Sequence, residues 1–259
     1  MIISIQNHGH FPSAIGGINK NIHYEVVGEG SPVLFVHGWG GSQKSLQPVA
    51  DILSSEYRCY TLDLPGFGES DNPDPDWSVK EYAECVVAFI HQLDLPTVSY
   101  IGHSFGGSLG IYIASHYPEI VTKLVLCDAS YKRKAVRKRG GDICSKLPSQ
   151  PLQEVCKFSR RIAYRLLYPH SDLYKFPHLE SNFRKIVTDD LTTQIDLITT
   201  PTLILWGEID VDTPVSFAHE LHEHIKGSFL KIVPQVGHGL PIKMPQLVVE
   251  EIQKFFKIK

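Results

Sequence analysis

The sequence predicts an α/β domain: a mostly parallel sheet of eight strands flanked by helices, with a helical cap inserted between the sixth and seventh strands. Three observations carry that prediction. Short β-rich runs alternate with helical patterns along most of the chain, as strand–helix–strand units with right-handed crossovers require. Several runs, among them "VLFV", "LVLC" and "LILW", are apolar at consecutive positions, which suits strands covered on both faces. The chain is also long enough. Its 259 residues, 42% of them apolar, can bury roughly three quarters of the surface of the unfolded chain, which fits one sizeable domain.

Taken in order, the candidate strands are Ile2–Gln6, Ile22–Val27, Val33–His37, Arg58–Leu62, Val98–Gly102, Lys123–Cys127, Thr202–Trp206 and Phe229–Val233. The first two are joined by polar, Gly-containing sequence and suit an antiparallel edge. Ser78 followed by Glu81 is a capping box, which pairs two backbone donors that a helix start leaves open. It begins a helix whose Val79, Tyr82, Val86, Phe89, Ile90 and Leu93 recur at helical spacing. A further helix is expected over Phe105–His116. Pro214 suits the first turn of one running to about Ile225, where its missing N–H is not needed. A last helix is expected near Gln246–Phe256. From Tyr131 to about Asp196 no strand pattern is found, so residues 1–130 and 197–259 are read as the core and 131–196 as a helical cap. That segment holds 14 Lys/Arg against 7 Asp/Glu, whereas the rest of the chain holds 11 against 21.

Composition narrows the function. A net charge of −3 implies no general attraction to nucleic acid or membrane. No apolar run approaches the roughly 18 residues a spanning helix needs. The N-terminal "MIISIQNHGHFPSAIGG" lacks the basic and apolar regions of a signal peptide. The five cysteines, Cys59, Cys85, Cys127, Cys144 and Cys156, show no CxxC spacing, so all are read as reduced and the compartment as cytoplasmic. Thirteen histidines form no HExxH, and neither a metal nor a cofactor site is expected.

The chemistry centres on "IGHSFGG". Gly102-His103-Ser104-Phe105-Gly106 matches G-x-S-x-G between a strand and a helix, a sharp turn in which only glycines let backbone and helix approach so closely. The new helix also presents free N–H groups and a positive dipole end to developing negative charge. A serine hydroxyl needs a base to become a nucleophile. His238, in "PQVGHGLP" after the last strand, is the candidate, while His103 is set aside because its side chain should point away from its neighbour. Three aspartates could orient the base. Asp210, in "WGEIDVDTP", gives the order Ser…Asp…His; Asp128 at the end of "KLVLCD" is the fallback; Asp212 reads as a helix cap before Pro214. Acyl chemistry further requires two donors for an oxyanion. These are assigned to the backbone N–H groups of Phe105 and of Trp39, in "VLFVHGWGGS". That loop is not a dinucleotide fingerprint, since Gln43 stands where the last glycine would be.

The ordered set "HGWGG" (37–41), "LDLPGFGES" (62–70), "GHSFGG" (102–107), "WGEID" (206–210) and "GH" (237–238) resembles the α/β-hydrolase superfamily across nearly the whole chain. Only 131–196 is uncovered, where that superfamily carries a variable helical cap. The resemblance implies Ser104 as nucleophile, His238 as general base and then acid, and Asp210 as the holder of the imidazole tautomer.

A serine at 104 disfavours the dehalogenase and epoxide-hydrolase chemistries of that superfamily, which use an aspartate. It favours an ester or thioester of a small molecule, cleaved through an acyl-enzyme. Relatives with the same triad also include carbon–carbon bond hydrolases, lactonases, perhydrolases, acyltransferases and slow-turnover ligand receptors, and the motifs do not separate them. One feature is individual to this chain. "KRKAVRKR" (132–139) has six basic residues in eight, which reads either as a solvated helical face or as a site for an acidic substrate or an acidic carrier protein. "HGWGG" and "LPGFG" also resemble the esterases that demethylate pimeloyl carrier-protein esters, although the likeness does not extend into the cap. No aromatic residue interleaves the basic run, which argues against nucleic acid.

Overall fold

The computed structural model describes residues 7–10, 20–132, 147–167 and 175–258. Its strands are β1 (Asn7–His10), β2 (Asn21–Val27), β3 (Pro32–Val36), β4 (Arg58–Leu62), β5 (Val98–His103), β6 (Val121–Cys127), β7 (Thr202–Gly207) and β8 (Phe229–Val233). They form one eight-stranded sheet in the order β1-β2-β4-β3-β5-β6-β7-β8. The pairs β1–β2 and β2–β4 are antiparallel and the others parallel. The expected strand Ile2–Gln6 lies outside the described residues. The antiparallel edge is made by Asn7–His10 against Asn21–Tyr24.

The helices are α1 (Gln47–Leu53), α2 (Val79–Gln92), α3 (Phe105–His116), α4 (Gln150–Leu167), α5 (Glu180–Ile186), α6 (Thr192–Ile195), α7 (Val215–His224), α8 (Leu240–Lys243) and α9 (Pro245–Phe256). The capping box is present: the Ser78 N–H donates to Glu81 Oε2 at 2.7 Å and the Lys80 N–H to Ser78 Oγ at 3.2 Å. Each inner strand serves two cores at once. In β3, Leu34 and Val36 join the cluster containing α2, α3 and α7, whereas Val33 and Phe35 join the one containing α1 and α9. Alternate side chains of a strand point to opposite faces, and both faces here are covered. This is why these strands read as unbroken apolar runs.

Strand order reverses between β3 and β5, from which the chain departs in opposite directions. A crevice opens at the carboxyl ends of the strands at such a switch point, and ligands of open α/β sheets bind there. Trp39 follows β3 and Ser104 follows β5, so the topology brings both to that crevice.

Between β6 and β7 the described residues form helices and connecting turns. They are tied back to the sheet domain: Asp189 Oδ2 accepts the Val79 N–H at 2.9 Å, and Asn182 Nδ2 donates to the Asp74 carbonyl at 2.8 Å. No helix among the described residues is long and apolar enough to cross a membrane. Cys59, Cys85 and Cys127 are free and buried. Cys156 is disulfide-bonded, which corrects the expectation that all five cysteines are reduced and removes the support for the compartment drawn from it. The apolar surroundings that mark Cys59 and Cys127 as small hydrophobes do not extend to Cys156, which lies in the polar sequence of α4.

Candidate active site

Ser104 sits between the last residue of β5 and the first of α3, with φ 52° and ψ −112°. A non-glycine residue held there costs about 1–3 kcal/mol and persists only when its surroundings hold it. The surroundings do so: its N–H donates to the Cys127 carbonyl, and its carbonyl accepts the N–H groups of Gly107, Ser108 and Ser130, at 2.9 to 3.2 Å. Two glycines make the turn sterically feasible. A Cβ on Gly102 would strike the Gly106 carbonyl, and one on Gly106 would strike that of Val36.

His238 lies in the loop between β8 and α8. Its Nε2 is 3.0 Å from Ser104 Oγ and its Nδ1 is 2.8 Å from Asp210 Oδ2. Because Asp210 can only accept when ionised, Nδ1 carries the proton and Nε2 is left to accept from the serine. Asp210 is buried and pinned: its Oδ1 accepts the N–H groups of Asp212 (2.9 Å) and Thr213 (3.0 Å), and its Oδ2 accepts Thr213 Oγ1–H (2.8 Å). Asp212 is itself exposed. Asp128 is fully buried but gives its oxygens to backbone donors rather than to the imidazole. Thr213 was not foreseen, although Asp210 and Thr213 stand at a spacing at which an aspartate bonds locally in a turn.

Electrostatics follow from this pairing. Burial alone would lower the His238 pKa, but the hydrogen bond and charge of Asp210, with the charges of Asp128 and Asp212, outweigh it and raise the pKa above 6.5. Burial likewise pushes Asp210 up, yet the bond and charge of His238 and the Thr213 donors leave it below 3.8. The two shifts agree: each partner favours the charged form of the other.

His103 takes no part in the relay. Its ring centroid lies 5.1 Å from that of His238, and it lines the same cavity, because the end of β5 faces the His238 loop. Burial, and then the His238 charge, lower its pKa to about 3, so it is neutral across the working range. His37 is similarly held neutral, its pKa lowered to about 4 chiefly by burial. Its Nδ1–H donates to the Gly38 carbonyl (2.7 Å) and its Nε2 accepts the Leu64 N–H (2.9 Å). Both contacts shape the loop that carries Trp39. Gly38 packs against Ser104, where a Cβ would come within 3.0 Å of the serine's own. As the first residue of α3, Phe105 has an N–H without an intrahelical acceptor.

The cavity above Ser104 measures about 620 Å³ and is lined by Trp39, Phe105, His238 and, from the segment between β6 and β7, Phe183, Ile186 and Leu191 among others. The Trp39 ring meets Phe67, Phe105 and Phe183 at centroid distances of 5.0, 5.6 and 5.3 Å. Among the described residues two triads, His103–Asp128–His238 and Asp210–Asp212–His238, gather donor atoms within 4.8 Å. Both use His238, whose ring nitrogens already face Ser104 and Asp210, so a metal would have to displace those bonds. Of the basic run 132–139, only Lys132 is among the described residues. It forms an ion pair with Glu220 at 2.6 Å.

Comparison with known proteins agrees with this architecture. Residues 31–141 match the family described as alpha/beta hydrolase fold. The AB hydrolase superfamily protein YisY of Bacillus subtilis is 30% identical over 83% of this chain and 87% of its own length. The pimeloyl-[acyl-carrier protein] methyl ester esterase of Aliivibrio salmonicida is 25% identical over 93% of this chain and 97% of its own. Among solved structures, a meta-cleavage product hydrolase from Pseudomonas fluorescens superposes with a TM-score of 0.72 and 22% identity, over 97% of both chains.

Proposed function

The chain belongs to the α/β-hydrolase superfamily, and on that premise we propose that it is a serine hydrolase cleaving a carboxylic ester or thioester through an acyl-enzyme. The observation that supports this reading is the unbroken relay from Asp210 through His238 to Ser104, at 2.8 and 3.0 Å, opening onto the cavity.

In this mechanism Ser104 Oγ attacks the substrate carbonyl carbon while His238 Nε2 takes its proton. Asp210 holds the Nδ1–H and stabilises the imidazolium that results. Negative charge collects on the carbonyl oxygen, which accepts from the N–H groups of Phe105 and Trp39; each such donor contributes on the order of 10²–10³ in turnover. The tetrahedral adduct collapses by breaking the carbonyl–oxygen or carbonyl–sulfur bond, and His238 returns its proton to the leaving group. A water molecule, deprotonated by the same imidazole, then releases the acid and restores Ser104.

Residues 131–196 serve in this reading as a cap that shapes the acyl site. The described lining balances Lys132 and Lys175 with Asp189 and Asp212. Substrate choice is therefore assigned to the apolar wall of Trp39, Phe105, Phe183 and Ile186. Preference for an acidic substrate or carrier protein, in keeping with the name of the Aliivibrio relative, rests on the basic run 133–139, outside the described residues. An ester panel varying acyl length and charge, run at low and high salt, separates these preferences. Removing the nucleophile tests the reading itself: Ser104→Ala abolishes turnover of p-nitrophenyl esters, and retained activity overturns it.

A further inference from the structure

Asp128 is a buried carboxylate beside the site, holding three backbone N–H groups, that the relay does not use. It follows β6 directly, is completely buried, and has φ +46°. Its Oδ1 accepts the N–H of Gly207, the last residue of β7, at 2.9 Å. Its Oδ2 accepts those of Gly239 and Leu240, at 3.0 and 2.9 Å. Its backbone also takes part: the N–H donates to the Leu205 carbonyl at 3.0 Å, and the carbonyl oxygen lies 3.1 Å from Thr213 Oγ1. Gly207 starts the loop that delivers Asp210, while Gly239 is the immediate neighbour of His238. One side chain therefore holds both loops.

We propose that Asp128 is a positioning residue: by tying the backbone of the Asp210 loop to that of the His238 loop, it holds the imidazole between Ser104 and Asp210. This inference rests on the reading of those three residues as the reactive set. A carboxylate is suited to the task because it alone offers acceptors in two directions with no donor of its own. Three N–H groups converge on it, and burying them unpaired would be costly. The left-handed backbone narrows the choice further, since aspartate and asparagine tolerate it far better than most residues.

The tie has an electrostatic consequence. The groups facing His238 are Asp210 and Asp212 after β7, Asp128 after β6, and His103 and Ser104 at the end of β5. An Asp128 oxygen lies within 4.8 Å of a ring nitrogen of His238. His103 stays neutral in the working range, so among the described groups the three carboxylates set the sign. Removing the Asp128 charge makes His238 easier to deprotonate.

The test is Asp128→Asn, which suits the left-handed backbone but places an amide N–H₂ against at least one backbone donor. The expected result is a folded protein whose kcat on a p-nitrophenyl ester falls by about 10²-fold with KM within about twofold, as for misplacement of a reacting group. The NMR titration of the His238 ring moves to lower pH, and the acid limb of kcat/KM moves with it. A folded Asp128→Asn protein with wild-type kcat and an unmoved His238 titration overturns the proposal, as does a lowered melting temperature with no change in either. Hydrogen exchange on the wild-type protein keeps the test available if the variant does not fold. The Gly239 and Leu240 amides should exchange as slowly as those of β7, and exchange at open-loop rates excludes the tie. The ring titration and the exchange need no turnover. They would stand even if the wild-type protein cleaved no ester, which would instead defeat the functional reading.

Discussion

Two loops, one after β6 and one after β7, each bring a buried aspartate to the same imidazole, yet the two carboxylates are driven in opposite directions. Asp210 meets the Nδ1 of His238 and Thr213 Oγ1, and its pKa falls. Asp128 is more deeply buried, receives only backbone N–H groups, and has its pKa raised by burial, with the neighbouring Asp210 charge adding to the rise. The difference teaches that proximity to a histidine does not make a carboxylate its partner. What matters is whether the carboxylate gains the hydrogen bond and charge of the imidazole on top of its local donors, as Asp210 does, or has its oxygens filled by the backbone alone while burial dominates, as at Asp128.

That contrast can be broken, starting with the largest effect. Beyond Ser104→Ala, Asp210→Asn should lower kcat by about 10⁴-fold, because the tautomer of His238 is no longer enforced. The same variant tests a linkage. With its folded pKa below the unfolded 3.8, Asp210 adds stability above that value and loses it as pH falls through the folded pKa. Thermal melts from pH 6 to 3 should therefore show a shallower acid-side decline in Asp210→Asn than in wild type. Asp128→Asn follows at about 10²-fold; equal losses for the two aspartates would erase the distinction drawn between them. Thr213→Val keeps shape but removes the hydroxyl donor to Asp210. It should cost about tenfold in kcat, the size of one hydrogen bond to a charged group.

The smallest effect belongs to the region above the sheet. Phe183→Ala, which removes the α5 ring resting on Trp39, should raise KM for a bulky acyl ester on the order of fivefold and leave kcat within about twofold, as loss of uniform binding does. A kcat loss as large as that of Thr213→Val would mean that the segment between β6 and β7 helps build the reactive geometry and does not merely shape the pocket.

Much of this was legible along the chain because it obeys local rules. Double-faced burial marks Val33–Val36 and Leu124–Cys127 as inner strands. Ser78 and Glu81 announce α2, and the glycines around Ser104 announce a turn too tight for any Cβ at Gly102 or Gly106. The chain order Ser104, Asp210, His238 is also readable, and those three side chains meet in the fold. What the chain alone left open were long-range choices. The sequence favours Asp210 and keeps Asp128 as the fallback, whereas the approach of loops 28 and 111 residues distant brings Asp210 to His238 and Asp128 to Gly239. The approach of the His238 ring to His103 is a long-range fact of the same kind. The disulfide at Cys156 and the wall formed by Phe183 and Ile186 are also tertiary facts. A one-dimensional pattern reports which faces must be buried, whereas partner choice depends on which buried donors and acceptors the folded backbone brings within hydrogen-bonding distance.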